Sequence, residues 1–142
     1  MLVTIGTGEK IFSTGFNLKF WAESLQNSLT SLVKEQELFN RFLTLPIPSM
    51  AVINGHAYAG GLIFALTHDF RIMAKGVGRL CLSELKIGLP LPPPYNAYCK
   101  ATLNAQTYRK LHFAETVTAE EAKKEVIVND IYTTIEEAER LI

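Results

Sequence analysis

The spacing of hydrophobic residues in the first third of the chain predicts a strand followed by helices. Residues 2–5 form a short β-branched run that ends in glycines, which is typical of a strand that leads into a turn. Apolar side chains then recur near the helical period, so one or two helices are expected over residues 18–44. Ser28 or Thr30 is the predicted cap of the second helix.

The middle of the chain has the order strand, glycine loop, helix. Residues 50–53 are short and apolar enough to form a buried strand, and the small-residue run 57–61 leads into a helix over 62–67. Two further strands are predicted at 70–74 and 79–82, where apolar residues flank a glycine-containing turn. This alternation of strands with helices predicts an α/β fold.

The last third of the chain opens with a proline cluster, residues 89–94, which is too stiff and too poor in N–H donors for a helix or a sheet interior. Helices are expected near 95–103, near 105–113 and after capping boxes that begin at Thr118 and Thr134. A strand-like run, residues 126–128, lies between the last two helices. Helices are therefore expected to predominate in this part.

Length and charge limit the classes of function. The 142 residues suit a single domain, residues 1–142, and 14 basic against 14 acidic side chains exclude a basic nucleic-acid surface. No apolar run approaches the roughly 20 residues that span a bilayer, and the two cysteines, Cys81 and Cys99, have no metal-ligand spacing. The mean hydropathy of +0.13 is high for a short domain and predicts apolar surface for a partner or for a missing part of the chain.

Two glycine-containing turns, residues 13–17 and 57–61, are candidate sites of chemistry. Each follows an apolar strand and opens a helix, so each exposes backbone N–H groups. Donors of this kind suit an oxygen that gains negative charge during a reaction. The alternative is that the glycines only allow close packing, and at this point it stays open.

Glu84 is the carboxylate most suited to acid–base chemistry. It comes just after the apolar residues 80–82, with only Ser83 between, and precedes another apolar stretch, so it is expected to be poorly solvated. Poor solvation raises the pKa of a carboxyl group toward the range that a general base needs near neutral pH. The alternative is a helix cap or an ion pair with Arg79 or Lys86.

Three ordered segments resemble the crotonase superfamily and, more narrowly, its Δ3,Δ2-enoyl-CoA isomerases. They are Lys10-Ile-Phe-Ser-Thr-Gly-Phe-Asn-Leu18, then Pro46-Ile-Pro-Ser-Met-Ala-Val-Ile-Asn-Gly-His-Ala57 with Gly60-Gly61, and Ser83-Glu-Leu-Lys-Ile-Gly88. The resemblance implies a crotonase-type α/β fold, a spiral of β-β-α units, incomplete at its N-terminal and C-terminal ends. Asn17 stands where the family pattern has Asp.

The resemblance also implies roles for individual residues. Phe16 and Gly60 would supply two backbone N–H groups to the thioester oxygen of an acyl-CoA, while Glu84 would remove a proton from C2 and return it at C4. Ile63 stands where the family's hydratases carry a second glutamate. The other positions that would bind substrate are Gly15 and Gly61 in the two turns and Lys10 and Lys19 near the nucleotide end of coenzyme A.

The function that these roles imply is a Δ3,Δ2-enoyl-CoA isomerase of fatty-acid β-oxidation. No cofactor or metal is expected, because coenzyme A is part of the substrate. The resemblance further implies a homo-oligomer, a trimer in the family, in the peroxisome or the mitochondrion. Two alternatives remain open: a non-catalytic fragment that binds acyl-CoA or another partner, and an enoyl-CoA hydratase-like enzyme.

Overall fold

The strands of the computed structural model, which describes residues 1–142, separate into two parallel sheets. The odd-numbered strands form a four-stranded sheet in the order β1-β3-β5-β7, comprising β1 (Leu2–Ile5), β3 (Ser49–Ile53), β5 (Phe70–Ala74) and β7 (Asp130–Tyr132). The even-numbered strands form a three-stranded sheet in the order β2-β4-β6, comprising β2 (Ile11–Ser13), β4 (His56–Tyr58) and β6 (Leu80–Cys81).

Helices follow each successive pair of strands. They are α1 (Leu18–Glu23), α2 (Leu25–Leu43), α3 (Gly60–Leu66), α4 (Pro93–Thr102), α5 (Ala105–His112), α6 (Ala119–Lys124) and α7 (Ile135–Leu141), with a short 3₁₀ helix at Glu84–Ile87. The chain therefore repeats three times a β-β-α unit that sends its first strand to the larger sheet and its second to the smaller one, and ends with β7 and α7. This arrangement confirms the predicted spiral of β-β-α units.

The core forms around β3 and α3. Every residue of β3 is buried, as expected for a central parallel strand covered on both faces. Leu62, Ile63 and Leu66 of α3 have at most 1% of their surface exposed and belong to a cluster of 22 buried residues. This packing holds the ends of the small sheet's strands in place.

The prediction of a strand at residues 126–128 is wrong. This segment is a turn, and the strand begins later, at β7. Val126 has a positive φ of +59°, and the N–H groups of Ile127 and Val128 both donate to the carbonyl of Ala122 at 2.8 and 3.3 Å. The side chains of Ile127 and Val128 are buried in the core, although the segment is the turn that ends α6. Their burial, and not strand pairing, explains why this stretch of the sequence is apolar.

Two helix starts also differ from the prediction. Ser24 caps α2, because its hydroxyl accepts the N–H of Asn27 at 3.1 Å, whereas Ser28 lies inside the helix. The proline cluster does not lie wholly outside helices, since Pro93 and Pro94 form the first turn of α4. Proline loses nothing there, because the first N–H groups of a helix have no intrahelical acceptor.

Candidate active site

Three segments that are distant in sequence meet at one edge of the smaller sheet. Strands β2, β4 and β6 are parallel neighbours, so their carboxyl ends lie at the same edge. The chain continues from β2 to Gly15 and Phe16, from β4 to Gly60, and from β6 to Glu84. In open parallel sheets this edge is where ligands commonly bind. The predicted catalytic residues are thus brought together.

The two glycine turns are in close contact. Gly15 has a φ of +82°, and a Cβ at this position would lie 2.9 Å from the backbone nitrogen of Gly60. Neither the N–H of Phe16 nor that of Gly60 donates a hydrogen bond to a protein group, and Gly60 is the first residue of α3. Two unpaired N–H donors therefore lie at the contact between the turns.

Ala59 turns the chain from β4 into α3. Its φ of +51° and ψ of −131° are unusual for a residue with a side chain, and such conformations cost of the order of 1–3 kcal/mol. Its N–H donates to the carbonyl of Cys81 at 2.9 Å, which ties the turn to β6. Gly61 packs so closely against β2 that a Cβ there would overlap the Ser13 carbonyl. Gly61 thus allows α3 to pack closely against β2. It does not line the cavity described next.

A cavity of about 780 Å³ lies beside this edge, which is within the size range of small-molecule sites. Its walls are mostly apolar and aromatic, and include Phe16, Leu18, Trp21, Leu32, Tyr58, Gly60, Ile63, Tyr95 and the segment 89–93. The rings of Phe16 and Trp21 lie 4.3 Å apart, centroid to centroid. Such a cavity suits an apolar chain attached to a polar group.

Glu84 lies at the start of the 3₁₀ helix and lines this cavity. Its side chain is half-buried, and Oε2 is buried without a hydrogen-bond partner. Burial raises the pKa of the carboxyl group, as expected from the sequence. It forms no ion pair with Arg79 or Lys86, and the Arg79 guanidinium donates instead to the carbonyl of Gly78 at 2.8 Å. Glu84 is therefore not held as an ion-pair partner.

Glu35, on α2, also lines the cavity and was not predicted as a site residue. A Cβ on Gly60 would lie 2.5 Å from Oε1 of Glu35, so the carboxyl group occupies the space that this glycine leaves. Burial and, to a smaller extent, the negative charge of Glu84 raise the pKa of Glu35 to about 7. Tyr95 lies beside it and has the opposite effect on the pKa, although Tyr95 Oη completes no hydrogen bond.

The sequence does contain a signal for Glu35. It falls between Leu32 and Phe39 on the face of α2 that also carries Phe42, so it interrupts an apolar stripe at helical spacing. Lys34, Gln36 and Glu37 surround it in sequence, which is typical of a solvated helix surface. Only the position of the helix in the fold shows that Glu35 faces the cavity.

Of the remaining residues predicted to bind substrate, Ile63 lines the cavity and the two lysines do not. Ile63 lines the cavity and is 1% exposed, so no carboxyl group lies one turn after Gly60. Lys10 and Lys19 are exposed and do not line the cavity, whereas Lys86 does. The carbonyl of Lys10 accepts the N–H of His56 at 2.9 Å, which fixes the backbone but leaves the amine in solvent.

Three features would indicate another kind of site: a membrane span, a metal centre and a reactive cysteine. No helix of the structure combines the length and the apolar character needed to cross a bilayer. No three side chains of His, Cys, Asp or Glu gather in a group that could hold a metal ion. Cys81 and Cys99 are free and buried, and burial raises the pKa of both thiols, so both are poor nucleophiles.

Comparison with protein families gives one match along almost the whole chain. The family described as enoyl-CoA hydratase/isomerase matches residues 2–140. Enoyl-CoA delta isomerase 3 of Arabidopsis thaliana is 40% identical over 115 residues, which cover 78% of this chain and 48% of that protein. The peroxisomal enoyl-CoA delta isomerase 1 of the same plant is 32% identical over 134 residues, or 93% of this chain and 55% of the relative.

A solved structure shows the same fold. A probable enoyl-CoA hydratase from Mycobacterium tuberculosis aligns with a TM-score of 0.89 and 27% identity over 99% of this chain. The match covers 61% of that structure. The chain thus spans about half the length of the curated relatives it matches and about three fifths of this solved one.

Proposed function

The chain belongs to the enoyl-CoA hydratase/isomerase family, and we propose that it is a Δ3,Δ2-enoyl-CoA isomerase of fatty-acid β-oxidation. One observation carries the proposal: Glu84 lines the cavity beside the unpaired N–H groups of Phe16 and Gly60. Apolar Ile63 also lines the cavity, at the position that the family resemblance assigns to a hydratase's second glutamate. The relatives named enoyl-CoA delta isomerases support the same choice.

In the proposed mechanism Phe16 and Gly60 hold the thioester oxygen with their N–H groups. This contact makes the C2 hydrogen more acidic, because the oxygen takes up negative charge when that hydrogen leaves as a proton. The Glu84 carboxylate removes the C2 proton, and the electron pair moves to the oxygen. Protonated Glu84 then returns the proton at C4 as the electrons flow back and a C2–C3 double bond forms. A single glutamate thus carries the proton in both steps.

The shape of the cavity suits the acyl part of such a substrate. Its apolar walls, with Leu32 and Trp21 among them, would enclose the hydrocarbon chain and exclude water from the reacting carbons. Gly15 would hold the N–H groups of Phe16 and Gly60 close to each other, since its turn contacts Gly60. The exposed amines of Lys10 and Lys19 are available to the phosphates of coenzyme A, and Lys86 is available at the cavity itself.

We further propose that the protein acts in the peroxisome as a homo-oligomer. Two of the Arabidopsis relatives carry "peroxisomal" in their names, which supports the compartment. Exposed apolar residues on α2, among them Leu25 and Val33 at 75% and 55% exposure, support assembly with further chain copies. A trimer is the assembly that the family resemblance implies.

A non-catalytic acyl-CoA-binding fragment is the second candidate, since the chain covers only 48% to 55% of the length of its relatives. To separate the candidates, the purified chain is incubated with a 3-enoyl-CoA and the products are resolved by chromatography and mass spectrometry. The isomerase predicts 2-enoyl-CoA without appreciable 3-hydroxyacyl-CoA. Rapid hydration would indicate a hydratase, and acyl-CoA binding without isomerisation would indicate the fragment.

A further inference from the structure

Glu35 is a carboxyl group in the cavity that the proposed proton shuttle does not use. It reaches the cavity from α2, whereas Glu84 reaches it from the 3₁₀ helix, so the two carboxyl groups come from separate elements. Oε1 of Glu35 fills the space beside the Cα of Gly60, and Oε2 is buried without a hydrogen-bond partner. A buried and unpartnered polar atom at a binding site indicates a partner that the protein itself does not supply.

No cation stabilises a negative charge on Glu35. Glu84 and Tyr95 face it from the 3₁₀ helix and from α4, and the chain's single ion pair, Lys123–Asp130, is elsewhere. α3 carries no ionisable residue, while Lys19 and Glu23 of α1 are exposed to solvent. The other ionisable groups that line the cavity are Tyr58, Cys81 and Lys86. Burial and the adjacent Glu84 therefore favour the neutral acid, whose pKa is about 7.

We propose that Glu35 is a third hydrogen-bond donor to the thioester oxygen, a carboxylic acid that acts beside the N–H groups of Phe16 and Gly60. The inference rests on the isomerase function proposed above. It follows from position, because Gly60 is one of the two proposed donors and the Glu35 carboxyl group lies against that same residue. Only glycine at position 60 leaves room for this contact. A carboxylic acid kept neutral by apolar surroundings is a known type of donor to an oxygen that gains charge.

The proton balance of the reaction is unchanged by this role. Glu84 still removes the C2 proton and returns it at C4, whereas Glu35 keeps its own proton throughout. The O–H of Glu35 points to the thioester oxygen, and its hydrogen bond strengthens as negative charge develops there. Glu84 is neutral at that stage, so the negative charge at the oxygen meets no second carboxylate.

The proposal makes activity depend on pH in a specific way. Activity should fall as the pH rises through about 7, the pKa of Glu35, because the ionised group loses its donor hydrogen and repels the developing charge. Glu84 must be ionised to act as a base, so its titration limits activity on the acid side. The profile should be bell-shaped, with one limb assigned to each carboxyl group.

Two substitutions test the proposal. Glu35→Gln keeps the shape and an N–H donor but cannot ionise, so kcat should stay within about tenfold of wild type and the alkaline limb should disappear. Glu35→Leu removes the donor, and kcat should fall by roughly 10²- to 10³-fold with little change in KM. Glu37→Gln, an exposed carboxylate on the same helix, is the matched control and should match wild type. Thermal melting verifies that each variant is folded.

Three results would overturn the proposal. Wild-type kcat in Glu35→Leu would show that no donor was lost, and an unchanged alkaline limb in Glu35→Gln would assign that limb to another group. Equal losses in the Gln and Leu variants would make Glu35 a proton carrier instead. A binding measurement keeps the test independent of turnover: the absorbance of a bound 2,4-dienoyl-CoA shifts to the red when its thioester oxygen is polarised. The shift should be smaller in Glu35→Leu than in wild type, and equal shifts would refute the donor role even if the chain proves inactive.

Discussion

Substitution of Gly15 by alanine should show whether this turn serves catalysis as well as folding. The added methyl group strains the backbone at residue 15 and also presses on Gly60. The φ of +82° at Gly15 is costly for any residue with a side chain, and the added methyl group would lie 2.9 Å from the backbone nitrogen of Gly60. Gly76 is a matched control. Its φ is +76°, and a Cβ there would meet nothing within 4 Å. Both substitutions carry a similar backbone penalty, but only one blocks the proposed donor.

The magnitudes follow from these geometries. A left-handed conformation costs a residue with a side chain about 1–2 kcal/mol, and each kcal/mol lowers the melting temperature by roughly 2–4 °C for a domain near this size. Both variants should therefore melt at a lower temperature, and Gly15→Ala more so than Gly76→Ala, because its Cβ also lies 2.9 Å from the backbone nitrogen of Gly60. Gly15→Ala should in addition lose roughly 10²- to 10³-fold in turnover, the usual effect of losing one oxyanion donor.

Steady-state isomerisation of a 3-enoyl-CoA and thermal melting, measured on both variants and wild type, test this expectation. The experiment compares turnover at equal fractions of folded protein, so that instability alone cannot lower the rate. If Gly15→Ala and Gly76→Ala turn over equally fast, the N–H of Gly60 is not an oxyanion donor. The assignment of the two glycine turns to the thioester oxygen would then be wrong.

Three further predictions follow. Gly60→Val should lower turnover by at least roughly 10²-fold in steady-state assays, since its side chain meets Oε1 of Glu35 and crowds the oxygen site. Because Leu25 and Val33 are exposed on α2, the chain should self-associate in size-exclusion chromatography with light scattering, and a monomer at high concentration would contradict this. Folding raises the pKa of Glu35 from 4.5 to about 7, so its ionisation destabilises the protein as pH rises through this window. Glu35→Gln should therefore raise the melting temperature near pH 8, and the gain should shrink toward pH 4.5.

The site segments were predictable from sequence because each is a local pattern. An apolar run, a glycine turn and the start of a helix stand together around Gly60, and Glu84 lies one residue beyond an apolar run. Parallel pairing of β2, β4 and β6 then brings the three ends together. Strands β2 and β4 were missed, since each has only three residues and their stability comes from neighbouring strands.

Errors arose where tertiary packing determines the outcome. Residues 126–128 look like a strand, yet the segment is a turn in which Ile127 and Val128 are buried and Val126 is exposed, because core contacts, and not strand pairing, hold it. Glu35 lies among polar neighbours in sequence and looks like part of a solvated surface. Its contact with Gly60, 25 positions later in the chain, depends on where α2 lies relative to the start of α3. The interrupted apolar stripe on α2 marks Glu35, but no local pattern identifies Gly60 as its neighbour.

Solvent deuterium exchange at C2 of a bound acyl-CoA tests most directly whether Glu84 is the base. Mass spectrometry follows the exchange and the isomerisation in wild type, in Glu84→Gln and in Glu120→Gln, an exposed carboxylate that serves as control. Glu84→Gln should lower both rates by roughly 10²- to 10⁴-fold, the range of general acid–base catalysis, and should still bind acyl-CoA, while Glu120→Gln should match wild type. Exchange at the wild-type rate in a folded Glu84→Gln variant would contradict the proposed mechanism.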